Sequence, residues 1–197
     1  MTYLTKLGFL FLFFVLAGVT TAPGYSVLYE IPTPLFVVNL EGPTSREQAA
    51  VAAHLADKYA QPEGAIMHIV KVAYREGLRV GVSPLTLLAI MEKESGLRAK
   101  VVNGYGAVGL MQVVPRFHLE KLKKGDVVAQ LQHPDTNIRV GSQVLAEYLR
   151  SSKGNLTKAL VRYSGNASQY AERVAKFKGQ LEKVLAARTA NSDTATS

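Results

Sequence analysis

The sequence predicts a mostly α fold in a single domain, on three observations. Apolar residues recur at three- and four-residue spacing, no segment alternates as a half-buried strand would, and cap residues and glycines bracket the periodic stretches. A chain of 197 residues has room for one self-sufficient core. Its 48% hydrophobic and 19% charged residues describe a globular protein, not a disordered one.

The N-terminus is organised differently from the rest. Lys6 precedes an apolar run from Leu7 to Val19 that carries Phe9, Phe11, Phe13 and Phe14. Thirteen residues is short for a bilayer span and suits the core of an export signal. Small residues follow, but Pro23 sits directly after Thr20-Thr21-Ala22, the best small-x-small pattern, so residues 1–24 read as a signal peptide or an uncleaved N-terminal anchor. Losing them removes only Lys6 and leaves a net charge of +7 instead of +8. Residues 25–43, with Pro32, Pro34 and Pro43, read as an extended linker.

Helices are predicted from residue 44 onward. Ser45-x-x-Gln48 is a capping-box pattern opening an Ala-rich helix to about Tyr59. Pro62-Glu63 introduces a second, with Ile66, Ile69, Val70 and Ala73 on one face and an end near Gly77 or Gly81. Val82-Ser83-Pro84 starts a third, through Leu85, Leu87, Leu88, Ile90 and Met91 to a stop at Gly96. Asp135 is a suitable cap for a helix through Ile138, Val140, Val144, Leu145, Tyr148 and Leu149, stopped by Gly154. Further helices are expected over 156–163 and 168–187. The small, polar residues 188–197 are expected to form a disordered tail.

The chemistry is predicted at the end of the third helix. Met91, Ile90 and Leu87 lie three, four and seven residues before Glu94 and so share its face. A carboxylate among them is costly to ionise, its pKa should rise, and a raised carboxyl pKa suits a general acid near neutral pH. Glu92 points roughly the other way. Gly104-x-Gly106-x-x-Gly109 has the spacing of a dinucleotide fingerprint, but no strand precedes it and Pro115 interrupts any following helix. The segment therefore reads as a tight loop that lets backbone approach a ligand. Gln112, between Met111 and Val113, is an amide in apolar company that needs a partner.

These residues carry a resemblance. Glu94-Ser95-Gly96, then Gly106-Ala107-Val108-Gly109-Leu110-Met111-Gln112 and Pro115, is similar to the catalytic region of the soluble-lytic-transglycosylase-type (SLT) domain. Asn137-Ile138 and Gly141, Ala159-Leu160-x-x-Tyr163-x-Gly165 and Tyr170-x-x-x-Val174 continue it in the family's order, over roughly residues 66–178. The resemblance implies a lysozyme-like helical domain with a glycan-binding groove. Its reaction would cut the β-1,4 bond between N-acetylmuramic acid and N-acetylglucosamine without water, leaving a 1,6-anhydro end. By the same resemblance Glu94 would be the single catalytic acid/base, Ser95 would contact substrate beside it, Met111 and Gln112 would line the groove, and Tyr163 would lie near the Glu94 carboxyl. Glycoside hydrolases usually use two carboxylates, and the residues themselves offer only one well-placed candidate. The chain departs from the family pattern at Ser164, where an Asn usually follows the Tyr; Asn166 is the nearest amide.

Three functions follow from this reading. The first is an exported lytic transglycosylase, in the periplasm or on the periplasmic face of the inner membrane, in the service of a secretion or conjugation apparatus. The second is a goose-lysozyme-like muramidase, which would need Asp126 or Asp135 across the groove. The third is a catalytically weak glycan-binding protein. No motif asks for a cofactor or metal: His54, His68, His118 and His133 lack metal-ligand spacing. The absence of Cys removes thiol chemistry and disulfides. Lys121, Lys123 and Lys124 are expected to form a solvated basic edge, and the scattered basic residues give no nucleic-acid footprint.

Overall fold

The computed structural model describes residues 45–194, with side-chain environments to Arg188; the expected signal or anchor and linker lie outside these residues. Among the described residues the chain forms helices α1 (Ser45–Tyr59), α2 (Glu63–Val80), α3 (Pro84–Ser95), α4 (Val127–Gln132), α5 (Pro134–Ser151), α6 (Leu156–Tyr163) and α7 (Tyr170–Thr194), with two 3₁₀ turns at Pro115–Phe117 and Leu119–Lys121. The mostly α reading holds, and the extended pairing is confined to isolated bridges, Val102 with Val108 and Val108 with Val113.

Helix α3 is the centre of the core. Leu87, Leu88, Ala89, Ile90 and Met91 are all fully buried, so the helix is covered on nearly every side, as its Leu- and Ile-rich middle requires. It packs on α2 and α7; α1 lies on α2 and α7, and α5 on α2 and α6. Burying the middle of α3 leaves its two ends to reach solvent, with Pro84 and Leu85 half-buried at one and Lys93 and Glu94 at the other. There Gly96 takes a φ of +56°, and Leu97 donates its N–H to Met91 O, which terminates the helix and turns the chain away from Glu94.

Several boundaries were not readable beforehand. Of the two ends expected for α2, Gly81 is the one the helix takes, at a φ of +71°, and Gly77 lies inside it. A Cβ at Gly77 would stand 2.7 Å from Val82 O, so this glycine lets the chain fold back against its own helix. Helix α4 was not anticipated; Asp126 caps it, accepting from the N–H groups of Val128 and Ala129. Asp135 does not cap α5. His133 is the cap residue, and Asp135 pairs with Arg75 (3.0 Å) and His68 (2.5 Å), tying α5 to α2. Helix α7 runs on to Thr194, through positions where composition predicts a tail without structure. Lys121 is drawn off the expected basic edge into ion pairs with Glu120 and Glu147.

The loop after α3 is clamped from below by Asn137, fully buried on α5. Its Oδ1 accepts from Met111 N (2.8 Å), and its Nδ2 donates to Val108 O (2.8 Å) and Leu131 O (2.7 Å). Gly109, at φ +75°, has no room for more: a Cβ there would lie 2.3 Å from both Asn137 Nδ2 and Leu131 O. Gly109 thus serves close packing against α4 and α5, whereas a Cβ on Gly104 would meet nothing within 4 Å.

Candidate active site

A cleft of about 300 Å³ opens where the end of α3, this clamped loop, the 3₁₀ segment, α5 and the end of α6 meet. Glu94 stands in one wall. Gln112, Tyr105 and Phe117 come from the loop and the 3₁₀ segment; Tyr148 and Tyr163 come from α5 and α6. Tyr148 and Tyr163 meet edge to face, with ring centroids 6.4 Å apart at 84°. Aromatic faces with a few polar groups between them make a surface suited to sugar rings.

The Glu94 carboxyl is held above the usual carboxylate range. Burial is the main cause, opposed by a hydrogen bond from Tyr170 and by the charge of Lys93. The Tyr170 hydroxyl donates to Glu94 Oε1 at 2.5 Å. Burial, and then the Glu94 charge, push the Tyr170 phenol far above its own ordinary range, so it remains a donor at every working pH. Sequence reading expected the raised pKa of Glu94 but missed Tyr170 as its partner. The only signal was its place in the late motif with Val174.

The predicted site residues divide. Glu94, Gln112 and Tyr163 line the same cleft. Gln112 sits at φ +47°, a left-handed conformation rare for a side chain of its size, and both amide N–H bonds go to loop carbonyls, Val101 O and Gly109 O. Its amide oxygen is therefore the group left for a ligand. Tyr163 donates its hydroxyl to Met111 O (2.8 Å), which ties α6 to the loop. Burial raises its pKa, and the Glu94 charge raises it further.

Ser95 and Met111 lie outside the cleft lining. The Ser95 hydroxyl faces inward, between Met91 O (3.1 Å) and Leu110 O (2.8 Å), and the residue is 2% exposed. Met111 is fully buried, close enough to α5 that a Cβ on Gly141 would meet its sulfur at 2.6 Å. Neither borders the cleft; both hold the loop that does. Glu92 points away from Glu94, as the helical spacing implies, but it is buried there, and its Oε2 takes Lys58 Nζ (2.7 Å) and the Tyr59 hydroxyl (2.9 Å). Ser164 lines the cleft, but its hydroxyl donates to Val161 O and accepts from Ala167 N within its own turn. Asn166 is exposed and does not border the cleft.

The model of the transglycosylase SLT domain matches residues 71–186. The chain belongs to this family. The match runs from α2 through most of α7 and so takes in every element that walls the cleft. Membership makes this a lysozyme-like helical fold of a family that acts on peptidoglycan as lytic transglycosylases do. Of the cleft residues that sequence reading had not singled out, Tyr105 and Phe117 are 62% and 58% exposed. Nothing in a one-dimensional pattern separates such aromatics from core ones. His118 also lines the SLT cleft, and burial, then the charge of Lys121, lowers its pKa, so it is neutral at pH 7.

Proposed function

We propose that this SLT domain cuts the β-1,4 bond between N-acetylmuramic acid and N-acetylglucosamine without water, through Glu94 alone. One observation carries this reading. Among the described residues that line the cleft, Glu94 is the single carboxylate. Asp126 is spent on capping α4, and Asp135 is paired with Arg75 and His68. A hydrolase of either stereochemical kind would ordinarily want a second carboxylate, to activate water or to attack carbon.

The steps balance on one group. Protonated Glu94 gives its proton to the glycosidic oxygen as the bond to C1 of the muramic sugar breaks. The resulting carboxylate then takes the proton of that sugar's 6-hydroxyl as O6 bonds to C1, closing the 1,6-anhydro ring and restoring the acid. Burial favours the protonated form that starts the cycle. The Tyr170 hydroxyl supports the carboxylate that follows. The inner hydroxyl needs no activated water, so the missing second carboxylate is no deficiency.

The same proposal places the protein outside the cytoplasm, in the periplasm or on the periplasmic face of the inner membrane. The apolar run over 7–19 supports this as an export signal or anchor. A small catalytic domain suits local opening of the wall for a secretion or conjugation apparatus. Digestion of purified sacculi by the full-length protein, with Glu94→Gln alongside, tests the chemistry by mass spectrometry of the released fragments. Products lighter than hydrolytic ones by one water, and lost in Glu94→Gln, are expected. Reducing-end products would replace this reading with a muramidase.

A further inference from the structure

Arg162 is the one lysine or arginine among the described residues lining the cleft. It lies in the last turn of α6, exposed, beside Tyr163. Its guanidinium makes no ion pair among the described residues: Nη1 donates to Ser151 Oγ at 2.9 Å, and the group lies 5.5 Å from the centre of the Tyr148 ring. These contacts leave most of its N–H groups unused. Arg116, the other arginine nearby, is occupied by the Tyr105 and Phe117 rings (4.2 and 4.7 Å) and by Tyr105 O.

We propose that Arg162 binds a carboxylate carried by the muramic sugar and thereby sets which sugar occupies that wall of the cleft. The inference rests on the peptidoglycan reading above. In such a glycan the rings, their hydroxyls and their acetamido groups are neutral. Negative charge occurs on the substituent at C3 of the muramic sugar, either as carboxylates of the stem peptide or, where the stem has been removed, as the lactyl carboxylate. An unpaired guanidinium in the cleft therefore has one kind of substrate partner, absent from every N-acetylglucosamine. Reading that charge distinguishes the two alternating sugars and fixes the register in which Glu94 meets the bond.

The test is binding in a non-cleaving background, so that it does not depend on the chemistry. Full-length Glu94→Gln and Glu94→Gln/Arg162→Gln are titrated with fluorescent soluble strands of two kinds, stem-bearing and amidase-stripped. Each kind is used with its carboxylates free and with them converted to amides. Arg162→Gln is expected to weaken binding of charged strands about tenfold and to leave amidated strands within about twofold. Arg162→Lys should recover part of the loss. The strand kind showing the larger loss identifies the stem or the lactyl group as the source. Equal losses on charged and amidated strands, or no loss, would overturn the assignment. If the Glu94→Gln parent binds none of the strands, the peptidoglycan reading fails and this one with it. Arg162 is exposed, and circular dichroism of the variant checks that the fold is retained.

Discussion

Tyr170, the first residue of α7, donates its hydroxyl to Glu94 Oε1 at 2.5 Å, across 76 positions of sequence. Two opposed effects therefore meet on one carboxyl. Burial pushes its pKa up and this hydrogen bond pulls it down, with burial the larger. The balance suits a group that must both give and take a proton.

Removing the hydroxyl should unbalance it. In Tyr170→Phe the Glu94 pKa rises further, because the bond that favoured the charged form is gone. If protonated Glu94 starts the reaction, the alkaline limb of kcat/KM moves to higher pH. The variant should lose about 1 kcal/mol of stability. An alkaline limb that stays in place would show that Tyr170 does not set the protonation of Glu94.

Glu94 itself should cost the fold stability at neutral pH. Its pKa is raised in the folded state above the ordinary 4.5, so between the two values the folded protein holds a proton that the unfolded chain has released. Stability then falls as pH rises through that window, and the loss persists above it. Glu94→Gln should melt higher than the native protein at pH 7, and the difference should vanish at pH ~3, well below the ordinary 4.5, where both states are protonated. Cleavage in the same variant should drop by on the order of 10²-fold or more. A melting difference that is unchanged at acid pH would contradict the burial argument.

The pair behind α3 offers a stability test remote from the cleft. Glu92 has a side chain with no exposure, and its Oε2 is held by Lys58, whose ammonium also donates to Gln180 on α7. Lys58→Met strands a buried carboxylate and should cost about 3 kcal/mol. Adding Glu92→Gln, which still offers Tyr59 an acceptor, should restore most of that. Urea titration of the two single variants and the double measures the coupling; additive losses would mean that the pair does not act as a unit.

Ser95 separates a structural serine from a substrate contact. Ser95→Ala removes the hydroxyl from between Met91 O and Leu110 O and should cost about 1 kcal/mol. KM should stay within about twofold, since the side chain does not reach the cleft. A tenfold rise in KM at unchanged stability would return Ser95 to the substrate.

Much of this was legible because it is local. The face shared by Leu87, Ile90, Met91 and Glu94 follows from 3.6 residues per turn, and so does the raised pKa of Glu94 once that face is buried. Gly96 as a helix stop is equally local. The burial of Ser95 and Met111 was not legible, for a complementary reason. The resemblance implied that Ser95 contacts substrate beside the acid and that Met111 lines the groove, but a side chain's inward or outward turn depends on Leu110 for Ser95 and on Gly141 for Met111, each brought to it by the fold.

The sequence by itself determined the helical class, most of the helix boundaries, Glu94 as a carboxyl with a raised pKa, and the family, since each rests on short-range periodicity, caps or motif order. Only the tertiary structure decided what surrounds that acid. Tyr170 arrives from α7, Asn137 clamps the loop from α5, and among the described residues Arg162 makes no ion pair in a cleft lined by one carboxylate. These relationships depend on how helices far apart in sequence come to lie against α3, and burial and hydrogen bonding are set by that packing, not by any residue's immediate neighbours in the chain.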